Sequence, residues 1–223
     1  VLNTKETIRD PENPVSPEAG TEGTVEFDHV SFAYPEADEN VLTDITFKAS
    51  KGQQVAIIGS TGSGKSTLIN LIPRFYDVTE GSVRVDGVDV RDMSQKELRD
   101  KLGYVPQKGV LFSGTIDSNI RYGKADLTRE EVERAAKIAQ ADDFIMEKNH
   151  TYDSPVAQGG TNVSGGQKQR LSIARAIAKN PEILIFDDSF SALDFKTDST
   201  LRKAIKDNTK DITTIIVAQR IST

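Results

Sequence analysis

One short run constrains this chain more than any other part of its sequence. Residues 59–66 read GSTGSGKS, which matches G-x-x-x-x-G-K-[ST], and they stand between a short apolar run and a helical pattern. Glycines let backbone N–H groups turn toward phosphate oxygens, and the start of a helix adds a favourable potential for an anion. Lys65 would reach the outer phosphates as a point charge, and the Ser66 hydroxyl would bind Mg²⁺. The alternative is a glycine-rich strand-to-helix turn without a ligand, but the flanking strand and helix favour a nucleoside triphosphate.

The apolar pattern predicts an α/β fold built on a parallel sheet. Residues 24–32 alternate as in a half-buried strand. Short apolar runs follow at residues 54–59, 183–186 and 214–218. Helical patterns lie over residues 65–71, 129–147, 167–179 and 198–208. Because helices separate the apolar runs, we expect a buried parallel sheet covered on both faces, with an inserted helical lobe at about residues 110–175.

Composition excludes several classes of protein. The 223 residues carry a formal net charge of -6, are 36% hydrophobic and 28% charged, and include no cysteine. They can bury a sizeable core, but disulfides and thiolate metal sites are excluded, and no nucleic acid partner is expected. No apolar run approaches the roughly 20 residues that span a bilayer. Any membrane connection must therefore come through another segment or a partner chain.

A ligand for magnesium is predicted at the end of the apolar run 183–186. Asp187 and Asp188 follow this run directly. Two acids at the end of a buried strand have no packing advantage, because desolvating carboxylates is costly. Solvated acids at an exposed strand end remain the alternative. Taken together with the phosphate loop, the pattern predicts that Asp187 binds Mg²⁺.

A second glycine-rich turn precedes a helical pattern at residues 162–170, NVSGGQKQR. Ser164 is a candidate N-cap, and the two glycines after it are suited to a second anion site. An ordinary capped helix start is the alternative. It does not explain why one domain carries two turns of the phosphate-binding type.

With these motifs the chain resembles the ATP-binding cassette (ABC) family from about residue 23 onward. Ser164–Gln167 resembles the signature motif of that family, Gln107 the Q-loop glutamine, and Ser191–Asp194 the D-loop. Tyr34 resembles the aromatic residue that stacks on adenine, although a core tyrosine at a strand end is the alternative. In that family two cassettes pack head to tail, and each signature motif caps the ATP on the other's phosphate loop.

The resemblance implies a RecA-like P-loop core with a mostly parallel sheet, an antiparallel β edge subdomain and an inserted helical subdomain. It also implies ATP and Mg²⁺ as ligands. The implied ATP-binding residues are Tyr34, Gly59, Ser60, Thr61, Gly62, Ser63, Gly64, Lys65, Ser66, Thr67, Gln107, Ser164, Gly165, Gly166, Gln167 and Asp194. The implied magnesium ligands are Ser66, Gln107 and Asp187.

In more detail, the sequence resembles the exporters of the ABC family. One exporter stretch is resembled by Leu111–Ile116 with Asn119–Ile120 and Tyr122–Gly123. A second is resembled by Val156–Gly160, with Ala157 in place of the usual glutamate. This implies a transmembrane domain and a second cassette as partners, at the cytoplasmic face of the cell membrane. Residues 1–22 are interpreted as a linker from a transmembrane domain. Residues 23–223 are interpreted as the nucleotide-binding domain, with a truncated C-terminal end.

Two positions depart from the family pattern, and both are positions that take part in ATP hydrolysis in that family. Asp188 stands where a glutamate normally polarises the attacking water, and Gln219 stands where a histidine normally contacts the γ-phosphate. Neither His29 nor His150 matches that position, and both are interpreted as surface or structural residues. The two changes together predict a site that binds ATP and hydrolyses it slowly, as in the degenerate-site subunit of a heterodimeric multidrug exporter.

Other functions stay open at this point. A fully active homodimeric exporter would need Asp188 to work adequately. A cassette in DNA repair or translation would be expected to carry a coiled-coil insertion or a basic surface, and another P-loop kinase would leave Ser164–Gln167 unexplained. An ATP sensor without turnover differs from the leading hypothesis only in rate.

Overall fold

The computed structural model describes residues 7–218 of the chain. These residues form two units, one made of residues 7–102 and 212–218 and the other of residues 103–211. Two predicted features lie wholly or partly outside the described residues: Gln219 with the expected chain end, and the first six residues of the predicted linker.

Strands and helices occur along the described chain as the sequence predicts for an α/β protein. The strands are β1 (Val25–Phe32), β2 (Leu42–Ala49), β3 (Gln54–Ile58), β4 (Glu80–Val85), β5 (Val88–Asp89), β6 (Leu102–Val105), β7 (Gly114–Thr115), β8 (Pro155–Val156), β9 (Ile183–Asp187) and β10 (Thr213–Ala218). The helices are α1 (Lys65–Asn70), α2 (Gln95–Asp100), α3 (Ile116–Ile120), α4 (Arg129–Ile138), α5 (Asp142–Met146), α6 (Gly165–Ala178) and α7 (Phe195–Asn208). Within residues 7–218 no helix is both long and apolar enough to cross a membrane.

An antiparallel sheet in the order β2-β1-β4-β5 forms the edge of the first unit. In β1, Val25, Phe27 and Val30 are buried, and the ring of Phe27 stacks on that of Phe47 in β2 at 4.6 Å between centroids. The predicted antiparallel β edge is therefore confirmed, and the alternation read from the sequence corresponds to its buried face.

Parallel pairing joins β3 and β10, with Thr214 opposite Gln54 and Ala218 opposite Ile58. The Thr213 hydroxyl fixes the start of β10 by donating to the carbonyl of Gly23 at 2.5 Å. The expectation that every apolar run is buried on both faces is wrong for β3, because Ile58 is 49% exposed. Gln54, Ala56 and Ile58 are exposed and Val55 and Ile57 are half-buried, so neither face of β3 is fully covered.

The described part of the predicted linker, residues 7–22, forms neither helix nor strand and lies along the first unit. The carboxylate of Asp10 accepts hydrogen bonds from the backbone N–H of Gln95 at 2.9 Å and from its side-chain amide at 3.0 Å. The N–H of Val15 donates to the carbonyl of Asp92 at 2.8 Å. This segment is thus attached at the start of α2.

The second unit is organised around α6 and β9. All residues of β9 are buried, and β6 lies beside it. Helices α3 and α4 pack on α6, and α7 packs on α4. The helix-rich part of the sequence at about residues 110–175 lies within this unit.

The predicted helix over residues 129–147 is wrong in one respect, since two helices, α4 and α5, take its place. The chain turns between them at Gln140, whose φ is 55°. A guanidinium N–H of Arg170 donates to the carbonyl of Gln140 at 2.6 Å and holds this turn. Because Arg170 lies far along the sequence, helical periodicity alone cannot reveal the break.

Candidate functional site

The glycine-rich run at residues 59–66 forms a loop between β3 and α1 in the first unit. Gly62 and Gly64 have φ values of 83° and 84°, in the left-handed region that glycine adopts without strain. A Cβ on Gly62 would meet nothing within 4 Å. The backbone conformation, rather than crowding by neighbours, therefore requires glycine at this point of the loop.

Lys65 folds back over this loop. Its Nζ donates to the carbonyls of Gly59 at 2.8 Å and Ser60 at 2.6 Å, and to the hydroxyl of Ser63 at 3.4 Å. A lysine ammonium has three donors, so its own loop occupies all of them. Phosphate oxygens would replace neutral acceptors by charged ones, which makes stronger hydrogen bonds.

Tyr34 lies beside the phosphate loop in the same unit. Its hydroxyl hydrogen-bonds the hydroxyl of buried Thr67 at 2.9 Å. Its ring packs edge-on against Phe32 and Tyr76, with centroids 5.0 and 5.2 Å apart. The ring is half-buried, so the arrangement fits both alternatives for Tyr34, a packed tyrosine and a residue with one face for a ligand.

In the second unit, β9 ends in the predicted pair of acids. Asp187 is 8% exposed and accepts a hydrogen bond from the hydroxyl of Tyr104 at 3.4 Å. Burial and the negative charge of Asp187 raise the pKa of Tyr104 well above its ordinary value, so this phenol stays a neutral donor. Asp188 is half-buried, with a φ of 46°. Aspartate is among the residues that most often adopt this left-handed conformation.

Gln107 and Asp188 are brought together, as the Nε2 of Gln107 donates to Oδ2 of Asp188 at 3.3 Å. Gln107 is exposed and lies in the loop after β6. Because the amide nitrogen faces the carboxylate, the amide oxygen points elsewhere and is suited to bind a cation.

The second glycine-rich turn is a capped helix start, as predicted for Ser164. The Ser164 hydroxyl accepts the N–H of Gln167 at 3.2 Å, and the Gln167 side chain accepts the N–H of Ser164 at 3.2 Å. A Cβ on Gly165 would meet nothing within 4 Å, and one on Gly166 would make only ordinary contacts. Packing within this chain therefore does not account for the two glycines.

The motifs and this geometry agree with the comparisons to known proteins. The family described as ABC transporter matches residues 42–191. An uncharacterised ABC transporter ATP-binding protein of Mycobacterium tuberculosis is 47% identical over 225 residues, which cover 100% of this chain and 38% of that protein. A solved structure of a bacterial Atm1-family ABC exporter with ATP bound matches with a TM-score of 0.92 and 40% identity, over 99% of this chain and 38% of that one.

The chain belongs to the ABC transporter family. A Staphylococcus aureus protein with the provisional name multidrug export ATP-binding/permease protein is also similar, being 49% identical over 202 residues that cover 91% of this chain and 35% of that protein. The cassette thus spans well under half the length of these relatives. The fold predicted from the resemblance, an α/β ATPase domain of the exporter type, is confirmed.

The predicted magnesium ligands suit a hard cation. Ser66, Gln107 and Asp187 offer a hydroxyl, an amide and a carboxylate oxygen, which are the donors that Mg²⁺ prefers. No group of three or more His, Cys, Asp or Glu residues that could hold a metal occurs in the described part of this cassette. Mg²⁺ usually binds through one or two carboxylates together with waters and substrate phosphates, and this donor set fits that mode.

Asp194, in the D-loop-like run, caps α7. Its carboxylate accepts the N–H of Thr197 at 3.0 Å and the Thr197 hydroxyl at 2.7 Å. These hydrogen bonds hold the pKa of Asp194 below its ordinary value. The structure thus gives Asp194 a local role in addition to the ATP-binding role that the resemblance implies.

The two exporter-like stretches pair with each other in the second unit. Gly114 in β7 lies opposite Val156 in β8. The ring of Phe112, before β7, stacks on that of Tyr122, after α3, at 4.2 Å between centroids, and Tyr122 is 63% exposed. Sequence similarity identified these stretches, but their pairing depends on residues too distant along the chain to predict.

Two polar residues near Gln107 carry no predicted role. Gln169 in α6 is 1% exposed, and Ser189, directly after Asp188, is fully buried. Both hydrogen-bond the backbone of the segment that leads into the Gln107 loop. The sequence feature that indicates Gln169 is its spacing, because it lies four residues before Ile173 and therefore on the buried side of α6.

Proposed function

We propose that this cassette binds Mg-ATP and hydrolyses it slowly, as one of two cassettes that power an ABC exporter. The observation that carries the proposal is Asp188. This acid directly follows the buried strand β9 and hydrogen-bonds Gln107, but it is one methylene shorter than the glutamate usual at this position. The similarity to an exporter structure with ATP bound supports the ATP-binding part of the proposal.

ATP would be bound first through its phosphates by residues 59–67. Lys65 would exchange the carbonyls of Gly59 and Ser60 for phosphate oxygens, and the loop N–H groups would surround them. Tyr34 would offer the exposed part of its ring to adenine while its hydroxyl stays on Thr67. These roles follow the resemblance residue by residue.

Magnesium would be held by Ser66, Gln107 and Asp187 together with the phosphates. When bound, it neutralises charge on the phosphate oxygens as the terminal phosphoryl group leaves. Tyr104, held neutral, would keep donating to Asp187 while that carboxylate binds the cation. Gln107 would bind with its amide oxygen while its nitrogen stays on Asp188.

Slow hydrolysis follows from two departures at the chemical positions. The shorter side chain of Asp188 would hold its carboxylate about 1 Å from the position needed to polarise water, and a misplacement of that size costs on the order of 100-fold in rate. Gln219 can donate a hydrogen bond to the γ-phosphate but cannot add positive charge. Both effects lower the rate and leave the binding residues unchanged.

The intact signature turn would serve a second cassette. Gly165 has open space around its missing Cβ, and glycine is favoured where a ligand approaches the backbone closely. We infer a head-to-tail pair in which Ser164–Gln167 caps the ATP of a competent partner cassette. The transmembrane domains of such an exporter would place the pair at the cytoplasmic face of the membrane, and the provisional name of the Staphylococcus aureus relative favours drug-like cargo.

The test is ATP turnover at saturating Mg-ATP for the unchanged chain, Asp188→Glu, Gln219→His and the double variant. Each is measured alone and mixed with a cassette that has glutamate and histidine at these positions. We expect the double variant to be at least about tenfold faster, which corresponds to roughly 1.4 kcal/mol of barrier. Asp188→Asn is the matched control and should lose turnover while still binding ATP. If the unchanged chain alone already matches the double variant, a fully active homodimer replaces this proposal.

A further inference from the structure

Gln169 is a buried glutamine on the second turn of α6, and its side-chain amide hydrogen-bonds the Gln107 loop before and after Gln107. Its Oε1 accepts the backbone N–H of Gly109 at 2.8 Å, and its Nε2 donates to the carbonyl of Pro106 at 3.1 Å. The side chain is 1% exposed, so neither hydrogen bond competes with bulk water.

A side-chain amide satisfies both of these backbone groups at once. The N–H of Gly109 requires an acceptor and the carbonyl of Pro106 requires a donor, so the orientation of the Gln169 amide is fixed by its partners. A glutamate at this position could accept but not donate, and an apolar residue could do neither. A buried backbone group left without a partner is costly, so the loop would have to move if Gln169 were replaced.

The loop also lies directly against α6. A Cβ on Gly109 would come within 2.7 Å of the Ser172 hydroxyl and 2.9 Å of the Lys168 carbonyl, so only glycine permits this approach. On the β9 side, the Ser189 hydroxyl donates to the carbonyl of Val105 at 2.8 Å. Ser189 thus attaches the residue before the Gln107 loop to the chain that follows Asp188. Gln169 attaches the loop to α6 on both sides of Gln107.

The same helix begins with the signature turn. Gly165 opens α6, and Gln169 follows four residues later, which is about 6 Å along a helix. Because one helix moves as a rigid element over this distance, any shift at the signature turn is transferred to the Gln107 loop through the Gln169 amide.

We infer that Gln169 is a positioning residue of the ATPase site, which holds Gln107 beside Asp188 and links it to the signature helix. It acts through Gln107 and touches neither nucleotide nor metal ion itself. The inference rests on the proposed function in one respect, since it takes Gln107 to be a magnesium ligand.

The experiment compares the full 223-residue chain with Gln169→Met, Gln107→Ala and the double variant Gln107→Ala/Gln169→Met. Methionine keeps the volume of glutamine and removes both hydrogen bonds. Asn119→Leu is the control for loss of a buried amide. Asn119 is equally buried, and its amide accepts from and donates to the backbone of Phe112 at 2.9 and 2.8 Å; it also donates to the carbonyl of Thr115 and accepts from Arg175. Gln169→Glu is a second variant, which removes only the donor.

Two measurements are made besides turnover. Hydrogen exchange at the Gly109 amide reports the anchoring, and we expect it to be roughly tenfold faster in Gln169→Met, since that amide loses its acceptor. The ratio of the ATP dissociation constants in EDTA and in Mg²⁺ reports the magnesium contribution. It should fall about fivefold in Gln169→Met, toward the value for Gln107→Ala, while Asn119→Leu keeps the original ratio.

The double variant decides whether Gln169 acts through Gln107. If it does, Gln169→Met has no further effect on the ratio in the Gln107→Ala background. Unchanged Gly109 exchange, or a ratio in Gln169→Met equal to that of Asn119→Leu, would overturn the inference. If instead Gln107→Ala leaves the ratio unaltered, the proposed magnesium role fails, and the exchange at Gly109 still decides the anchoring.

Discussion

Helices α1 and α6 both begin in a glycine-rich turn, yet the residues before them differ. Gly64 precedes α1 and has no side chain to accept a hydrogen bond, while Lys65 folds back on carbonyls of its own loop. Ser164 precedes α6 and exchanges hydrogen bonds with Gln167. The first turn therefore lacks a side-chain cap, whereas the second is already capped.

This difference bears on which parts of the proposed ATP site depend on the ligand. The turn before α6 is held by hydrogen bonds within this chain, so its shape does not require a bound nucleotide. In the turn before α1, the Lys65 ammonium donates to neutral carbonyls. Charged phosphate oxygens in their place would make stronger hydrogen bonds. We therefore expect changes at α1 to affect affinity and changes at α6 to affect stability.

The largest effect is expected for Lys65→Ala. Loss of the ammonium should weaken ATP binding on the order of 100-fold, or roughly 2.7 kcal/mol, as measured by titration calorimetry with Mg-ATP. The melting temperature without nucleotide should stay the same, because the hydrogen bonds of Lys65 join residues of one surface loop. Lys96→Ala, which removes an exposed lysine paired with Asp100 in α2, is the control. An affinity within threefold of the original would contradict the assignment of Lys65.

A smaller effect, on stability rather than affinity, is expected for Ser164→Ala. Removing the cap should lower the free energy of unfolding by about 1 kcal/mol, as measured by urea denaturation. ATP affinity of the lone cassette should not change, because the cap lies in the turn assigned to a partner's nucleotide.

Two variants control the Ser164 experiment. Ser164→Asn keeps a capping side chain and should retain most of the stability. Gly165→Ala adds a Cβ where nothing lies within 4 Å and should cost no stability. A loss in Gly165→Ala as large as in Ser164→Ala would mean that the glycines, and not the cap, hold this turn.

The smallest effect concerns the start of α7, which is capped by a charged residue. The pKa of Asp194 is lowered in the folded chain by the hydrogen bonds from Thr197, so the unfolded chain takes up this proton first as the pH falls. The resulting stabilisation is present above the ordinary aspartate pKa of about 3.9 and is lost as the pH falls through the folded value. Asp194→Ser keeps a cap without this titration, and its melting temperature should fall less between pH 5 and pH 3. Parallel curves for the two proteins would argue against a contribution from Asp194.

Features carried by contiguous residues could be predicted from the sequence. The glycine-rich run 59–66, the Ser164 cap and the two acids at the end of β9 each lie within a few residues, so their spacing reveals them. The two helices in place of residues 129–147 could not be predicted, because the turn at Gln140 is held by Arg170 from α6. The exposure of Ile58 depends on what packs over β3, which an apolar run does not indicate.

The anchoring of Gln107 shows the same limit at the candidate site. Gln169 stands in a motif that the sequence analysis already quotes, but its partners Pro106 and Gly109 lie about 60 residues earlier. A lone polar residue on an apolar helix face indicates that a buried partner exists. It does not say which backbone groups that partner provides.

The attachment of Asp10 to Gln95 has a mechanical consequence for anything joined to the front of this cassette. With Asp10 and Val15 held at the start of α2, residues 10–22 cannot extend as a free tether. A stretch of that length would otherwise add on the order of 40 Å of reach. A force applied before Asp10 would therefore reach the start of α2 before it reaches β1.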